Sequence, residues 1–124
     1  MAVIVGSVSG IVSTSDATKI ISLDDALEAL GRKGAGAVAI KLLTLYNPDS
    51  SAAPFILRKR VLDENNEERF IRRFDDSIAA TDAWVFGTLG AILVIDNMDD
   101  WYELLMDSNP AQPIEYCIDF GLTA

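Results

Sequence analysis

The most regular pattern in the chain lies near its end, where Ile114, Tyr116, Ile118 and Phe120 alternate with Glu115, Cys117 and Asp119. A period of two is that of a strand with one buried face, and it predicts a strand over residues 113–122. Tyr102, Leu104 and Met106 alternate in the same way. Asp99 and Asp100 would also suit the first turn of a helix, but Asn109-Pro110-Ala111-Gln112 reads as a turn, so residues 101–107 are read as a strand that pairs with 113–122 in a closing hairpin. Residues 37–46 are apolar apart from Lys41 and Thr44 and end at Asn47-Pro48-Asp49-Ser50-Ser51, which predicts a buried strand, with a helix as the alternative, and then a loop. Strands are also read at 84–86 and 89–95, with a loop at 78–80.

A hairpin is predicted between residues 54 and 74. Two runs, 55–62 and 67–74, flank Asp63-Glu64-Asn65-Asn66, and asparagine tolerates the left-handed backbone of a tight turn. With Asn65 and Asn66 as the turn, Val61 faces Phe70 and Leu57 faces Phe74, and the opposite side carries Arg58, Arg60, Arg69 and Arg73. Like charges across a strand pair repel unless an anion or an acidic surface neutralises them, which makes this hairpin the expected contact site. The bland alternative is a solvated edge kept from aggregating by its charge.

Helical spacing occurs once. Leu23, Ala26, Leu27 and Leu30 follow Ser22 and Asp25, a plausible capping pair, and run up to Gly31 and Gly34, predicting a helix over 23–32. Residues 2–14 are small or β-branched and uncharged, which reads as an extended arm or strand, with Val3, Ile4 and Val5 as further contact candidates. The whole predicts a mainly β single domain, a sandwich or jelly roll over 17–124, with one short helix and an N-terminal arm or edge strand over 1–16.

Composition narrows the function. The chain has 124 residues, no histidine and a net charge of -9. His-based triads, metal sites and proton relays are excluded, and the acidic net charge disfavours binding to nucleic-acid phosphates, which need clustered Lys and Arg. All ten basic residues fall within 1–73, against nine acids there, and ten acids fall within 74–124. Such asymmetry suits a subunit whose basic strip meets an acidic neighbour. The single Cys117 cannot form an internal disulfide, and a reducing cytoplasm fits. The first basic residue is Lys19, so no secretory leader is expected, and the uncharged stretch 83–95 is too short to span a membrane.

Candidate chemistry is sparse. Asp96-Asn97-Met98-Asp99-Asp100 lacks the glycine and distal glutamate of a calcium loop, and Gly31, Gly34 and Gly36 lack the lysine and hydroxyl of a phosphate loop. No catalytic residue, metal or cofactor is assigned, and the aromatic residues are read as core.

From residue 37 onward the order of signals resembles the small β-sandwich virion proteins of tailed bacteriophages. The matching pieces are Leu45-Tyr46-Asn47 with the loop Ser50-Ser51-Ala52-Ala53, the strand 55–62 with its acidic turn, the phrase from Ser77-Ile78-Ala79-Ala80 to Trp84-Val85-Phe86, and Ile92-Leu93-Val94-Ile95 leading into an Asp-rich turn. The chain departs from that pattern in having Asp96-Asn97-Met98-Asp99-Asp100 where a Gly-Asp turn is usual, and in its helix after Ser22. The resemblance implies a non-enzymatic head decoration or cement protein, or a tail-tip or fibre module. It would be assembled into the virion in the host cytoplasm, with a capsid or other virion protein as partner, and as a homo-oligomer, a trimer first of all. The alternative from a different class is an acidic inhibitor or immunity-type protein that covers a basic enzyme surface with residues 74–124 and forms a salt-sensitive complex.

Overall fold

The computed structural model describes residues 3–32, 36–87 and 93–123. Their strands are β1 (Val3–Val12), β2 (Thr18–Ser22), β3 (Ala37–Asn47), β4 (Ala53–Leu62), β5 (Glu68–Ile78), β6 (Asp82–Gly87), β7 (Val94–Ile95), β8 (Trp101–Met106) and β9 (Ile114–Thr123), with one helix, α1 (Leu23–Ala29). They form two antiparallel sheets, one ordered β1-β9-β3-β6 with β7 also on β3, the other β2-β8-β4-β5. The result is the β-sandwich with one short helix that the patterning predicts.

Alternation decides which residues lie between the sheets. Ile114, Ile118, Phe120 and Leu122 of β9 face Tyr102, Leu104 and Met106 of β8 across the core, and all are buried. The two strands therefore do not make the expected closing hairpin. β8 lies between β2 and β4, β9 lies between β1 and β3, and the segment from Asp107 to Pro113 crosses from sheet to sheet. Each strand has an apolar face to bury, and stacking those faces removes more apolar surface from water than laying the strands side by side.

In β3 a bulge between Ile40 and Leu42 shifts the buried positions from Val38 and Ile40 to Leu43 and Leu45. Lys41 thereby stays out of the core. Asn47, at the end of β3, is fully buried, and its amide donates to the carbonyls of Ser51 (2.8 Å), Ile78 (3.2 Å) and Ala79 (3.3 Å). That single side chain ties the β3–β4 loop to the end of β5. The latter strand runs to Ile78, which is buried, four residues beyond the hairpin limit expected at Phe74. Of the strand expected over 89–95, residues 89–92 lie outside the described ones and β7 is the described part.

The helix is shorter than 23–32. Ser22 and Asp25 form the reciprocal cap: the Ser22 hydroxyl accepts from the Asp25 N–H at 3.2 Å and the Asp25 carboxylate from the Ser22 N–H at 3.0 Å. The other end closes in a Schellman turn, with Gly31 at φ +63°, Gly31 N–H donating to Glu28 and Arg32 N–H to Leu27. Leu23, Ala26 and Leu27 are buried against the adjoining strands. Residues 3–12 are the edge strand of a sheet, paired with β9 from Val3–Thr123 to Val12–Ile114. Among the described residues no helix is long and apolar enough to cross a membrane.

Candidate functional site

The β4–β5 hairpin forms, but its register is not the simple one. Leu57 faces Phe74 as expected; a bulge then sets Arg58 opposite Arg72, leaving Arg73 as the extra residue, so that Val61 faces Arg69 and Phe70 faces Arg60. The four arginines expected on one face are thus divided. Arg58 and Arg60 share the outer face with Phe70 and Arg72, Arg69 lies on the opposite face near the tip, and Arg73 stands at the bulge beside the Tyr102 hydroxyl. The turn is Asp63 to Glu67, with Asn66 in the left-handed region at φ 60°.

Each guanidinium on the outer face has partners within the chain. Arg58 Nε donates to Glu103 Oε1 at 3.0 Å, and its guanidinium lies 3.9 Å from the Phe70 ring centre. Arg60 Nε donates to Glu68 at 2.8 Å and stacks 4.0 Å over Trp101, while Nη1 reaches the Asp99 carbonyl. Arg69 pairs with Asp63 at 3.0 Å and Glu67 at 3.3 Å, and Arg72 with Asp75 at 3.1 Å. The repulsion that would have called for an outside anion is met by the protein's own carboxylates and aromatic faces. Lys59 points to the inner side and lies 3.8 Å from Asp100, which is buried.

Carboxylate titration follows these surroundings. Burial pushes the Asp100 carboxyl up, against the pull of Lys59. Asp76 is held low by the Trp84 indole N–H, which donates at 2.9 Å, and Asp63 by the backbone N–H of Glu67 first of all. Burial raises Tyr102 and Tyr116. None of these groups stands beside a nucleophile or a second acid in an enclosed site. Among the described residues no group of three Cys, Asp or Glu is placed to hold a metal ion.

The outer face of the β1-β9-β3-β6 sheet is different in kind. Registered across the four strands it presents Ile11, Glu115, Tyr46 and Ala83 in one row, Ser9, Cys117, Thr44 and Val85 in the next, and Ser7, Asp119, Leu42 and Gly87 in a third. Val5, opposite Gly121, continues it. Val5 is 74% exposed, Ile11 60% and Val85 59%, and Leu42 and Tyr46 are also exposed. Five of the eight exposed large apolar side chains among the described residues lie here, with Glu115 and Asp119 as the only acids in the three rows. These apolar side chains, set among small polar ones and two acids, make this face the candidate contact surface.

The sequence signals for this face are scattered over four strands, each contributing one or two apolar residues among small ones, so no single run announces it. Of the N-terminal candidates, Val5 lies on this face, Ile4 turns inward and is half-buried, and the backbone of Val3 pairs with Thr123.

Fold and surface together define a two-sheet antiparallel sandwich that offers an apolar outer face. No family model matches the chain, and no curated protein matches it. Among solved structures the chain is similar to one described as "Cyanophage Pam1 capsid asymmetric unit", with 20% identity and a TM-score of 0.44 over 97% of this chain and 83% of that one.

Proposed function

We propose that the chain is a non-enzymatic structural protein of a phage virion, and within it a head decoration protein that seats on the shell through the outer face of the β1-β9-β3-β6 sheet. The observation that supports the contact is the placing of Val5, Ile11, Leu42, Tyr46 and Val85 on one sheet face whose three central rows hold only two acids, in a chain with net charge -9. Burying such a face against a larger assembly removes apolar area from water at about 25 cal/mol per Å². Repetition over many symmetric sites supplies avidity without a tight single contact. The order of signals from residue 37 onward supports the phage part of the reading.

The test is quantitative mass spectrometry of washed particles from the source that encodes the chain, normalised to the major shell protein. Copies on the order of the shell count are expected, and Val85→Lys, at the far edge of the face from β1, should cut occupancy at least about tenfold. A handful of copies per particle would place the protein at the tail. Absence from particles, with a one-to-one complex with a basic enzyme instead, would overturn the virion reading in favour of an acidic inhibitor.

A further inference from the structure

β1 reads the same in both directions. Around Val8 the chain runs Ile4, Val5, Gly6, Ser7, Val8, Ser9, Gly10, Ile11, Val12, so that serine matches serine, glycine matches glycine and aliphatic matches aliphatic at equal distances from the centre. Its neighbour carries an echo of the symmetry. Val8 pairs with Ile118, and on either side Phe120 lies under Gly6 and Tyr116 under Gly10. A Cβ added at Gly6 would stand 2.7 Å from the Phe120 ring, and one at Gly10 would stand 2.6 Å from the Tyr116 hydroxyl, so a side chain at either position would have to displace the ring beneath it.

The strand is also an open edge. Among the described residues β1 pairs only with β9, and a groove lined by Val8, Ser9, Lys19, Asp25, Glu28 and Tyr116 runs along its other side. Native sheets guard such edges with charge, bulges, brevity or a covering helix, and here α1 packs beside β1 without taking up its backbone hydrogen bonds. The other edges here follow that rule: β5 carries Glu68, Arg69, Arg72, Arg73, Asp75 and Asp76 with a bulge, β2 has five residues and β6 six. β1 has ten residues with no charge and no proline.

We propose that two copies of this chain join through β1, antiparallel about a two-fold axis at Val8, extending the order β6-β3-β9-β1 into the same sheet of the second copy. In that register Ser7 faces the partner's Ser9, Val5 the partner's Ile11, Gly6 the partner's Gly10 and Ile4 the partner's Val12. A two-fold interface brings one patch against itself, so it demands self-complementarity, and a palindromic strand supplies that residue by residue. Val5 and Ile11, the two most exposed large apolar side chains among the described residues, become cross-strand neighbours, and the serine hydroxyls can bond across the junction. On the outer face the nearest acids, Glu115 and Asp119, lie one strand back, and beside the edge Asp25 and Glu28 share their groove with Lys19. The axis closes on two copies and not on the trimer that the family resemblance implies. The inference stands on the edge strand alone, whether or not the chain belongs to a virion.

Sedimentation equilibrium of the full chain tests it. The wild type should give twice the 13.5 kDa of the chain. Ser7→Lys with Ser9→Lys sets lysine against lysine across the axis and should give a monomer. Ser7→Lys with Ser9→Glu sets lysine against glutamate twice and should restore the dimer. Both serines are exposed, so circular dichroism and melting should show all three proteins folded. A monomeric or trimeric wild type overturns the proposal, as does a dimer indifferent to the two lysines or a folded Lys/Glu pair that stays monomeric.

Discussion

Asp63, Asp76 and Asp100 are the same side chain in three settings, and the settings set their charge. Asp63 accepts backbone N–H bonds from Asn65 at 2.8 Å and Glu67 at 3.0 Å, and Asp76 accepts from the Trp84 indole; each bond favours the ionised form and lowers the carboxyl from 3.8. Asp100 is buried beside Lys59, and loss of hydration raises it. The consequences for stability have opposite signs. The first two contribute stability above 3.8 that is lost as pH falls through their lower folded values. Asp100 costs stability at neutral pH, and that cost is relieved as pH falls through its raised folded value. Carboxyl carbon NMR across an acid titration should find Asp63 and Asp76 turning below 3.8 and Asp100 above it; the reverse order would refute the assigned causes.

At the scale of the element, the β4–β5 hairpin shows where a cation serves the fold. Arg58 keeps 24% of its side chain in solvent and Glu103 keeps 8%, so the pair is largely desolvated and either charge alone would be costly. Arg58→Glu sets two carboxylates together on the sheet and should cost about 2–3 kcal/mol in urea unfolding, below the range for a fully buried pair because Arg58 is partly wet. A change under about 0.5 kcal/mol would show that the pair contributes little. The hairpin itself was legible in the sequence, from two apolar-and-charged runs around Asp63-Glu64-Asn65-Asn66, and so was Asn66 as its left-handed residue. The bulge at Arg73 was not, because a one-residue slip leaves no mark in local composition, yet it moves Arg69 and Arg73 off the face of Arg58 and Arg60. The cap at Ser22 and Asp25 was legible for the opposite reason: both partners lie within one turn.

The whole molecule obeys the same division between local and distant. Alternation fixed β8 and β9 as strands but could not give their neighbours, since the choice depends on which faces can be stacked across a core built from every part of the chain. The apolar outer face was illegible for that reason too: Ile11, Tyr46, Leu42 and Val85 meet only through the register of four strands. Most of the pairing joins strands far apart in sequence, the extreme being β1 with β9, and closing such loops is slow.

The central place of β9 also sets an order of events on the ribosome. β9 holds β1 on one side and β3 on the other, so the sheet has a gap through its middle until residues 114–123 have left the exit tunnel. Nascent chains stalled with β9 still inside should show no folding force on an arrest sequence, and chains lengthened enough to release it should show one peak; an earlier peak would mean that part of the sandwich forms without β9. Throughout that wait β1, the earliest made of the described strands, has none of them to pair with within its own chain. Neighbouring nascent chains on one messenger would present the same uncharged, self-matching strand, so slower completion of synthesis is expected to favour premature union of copies.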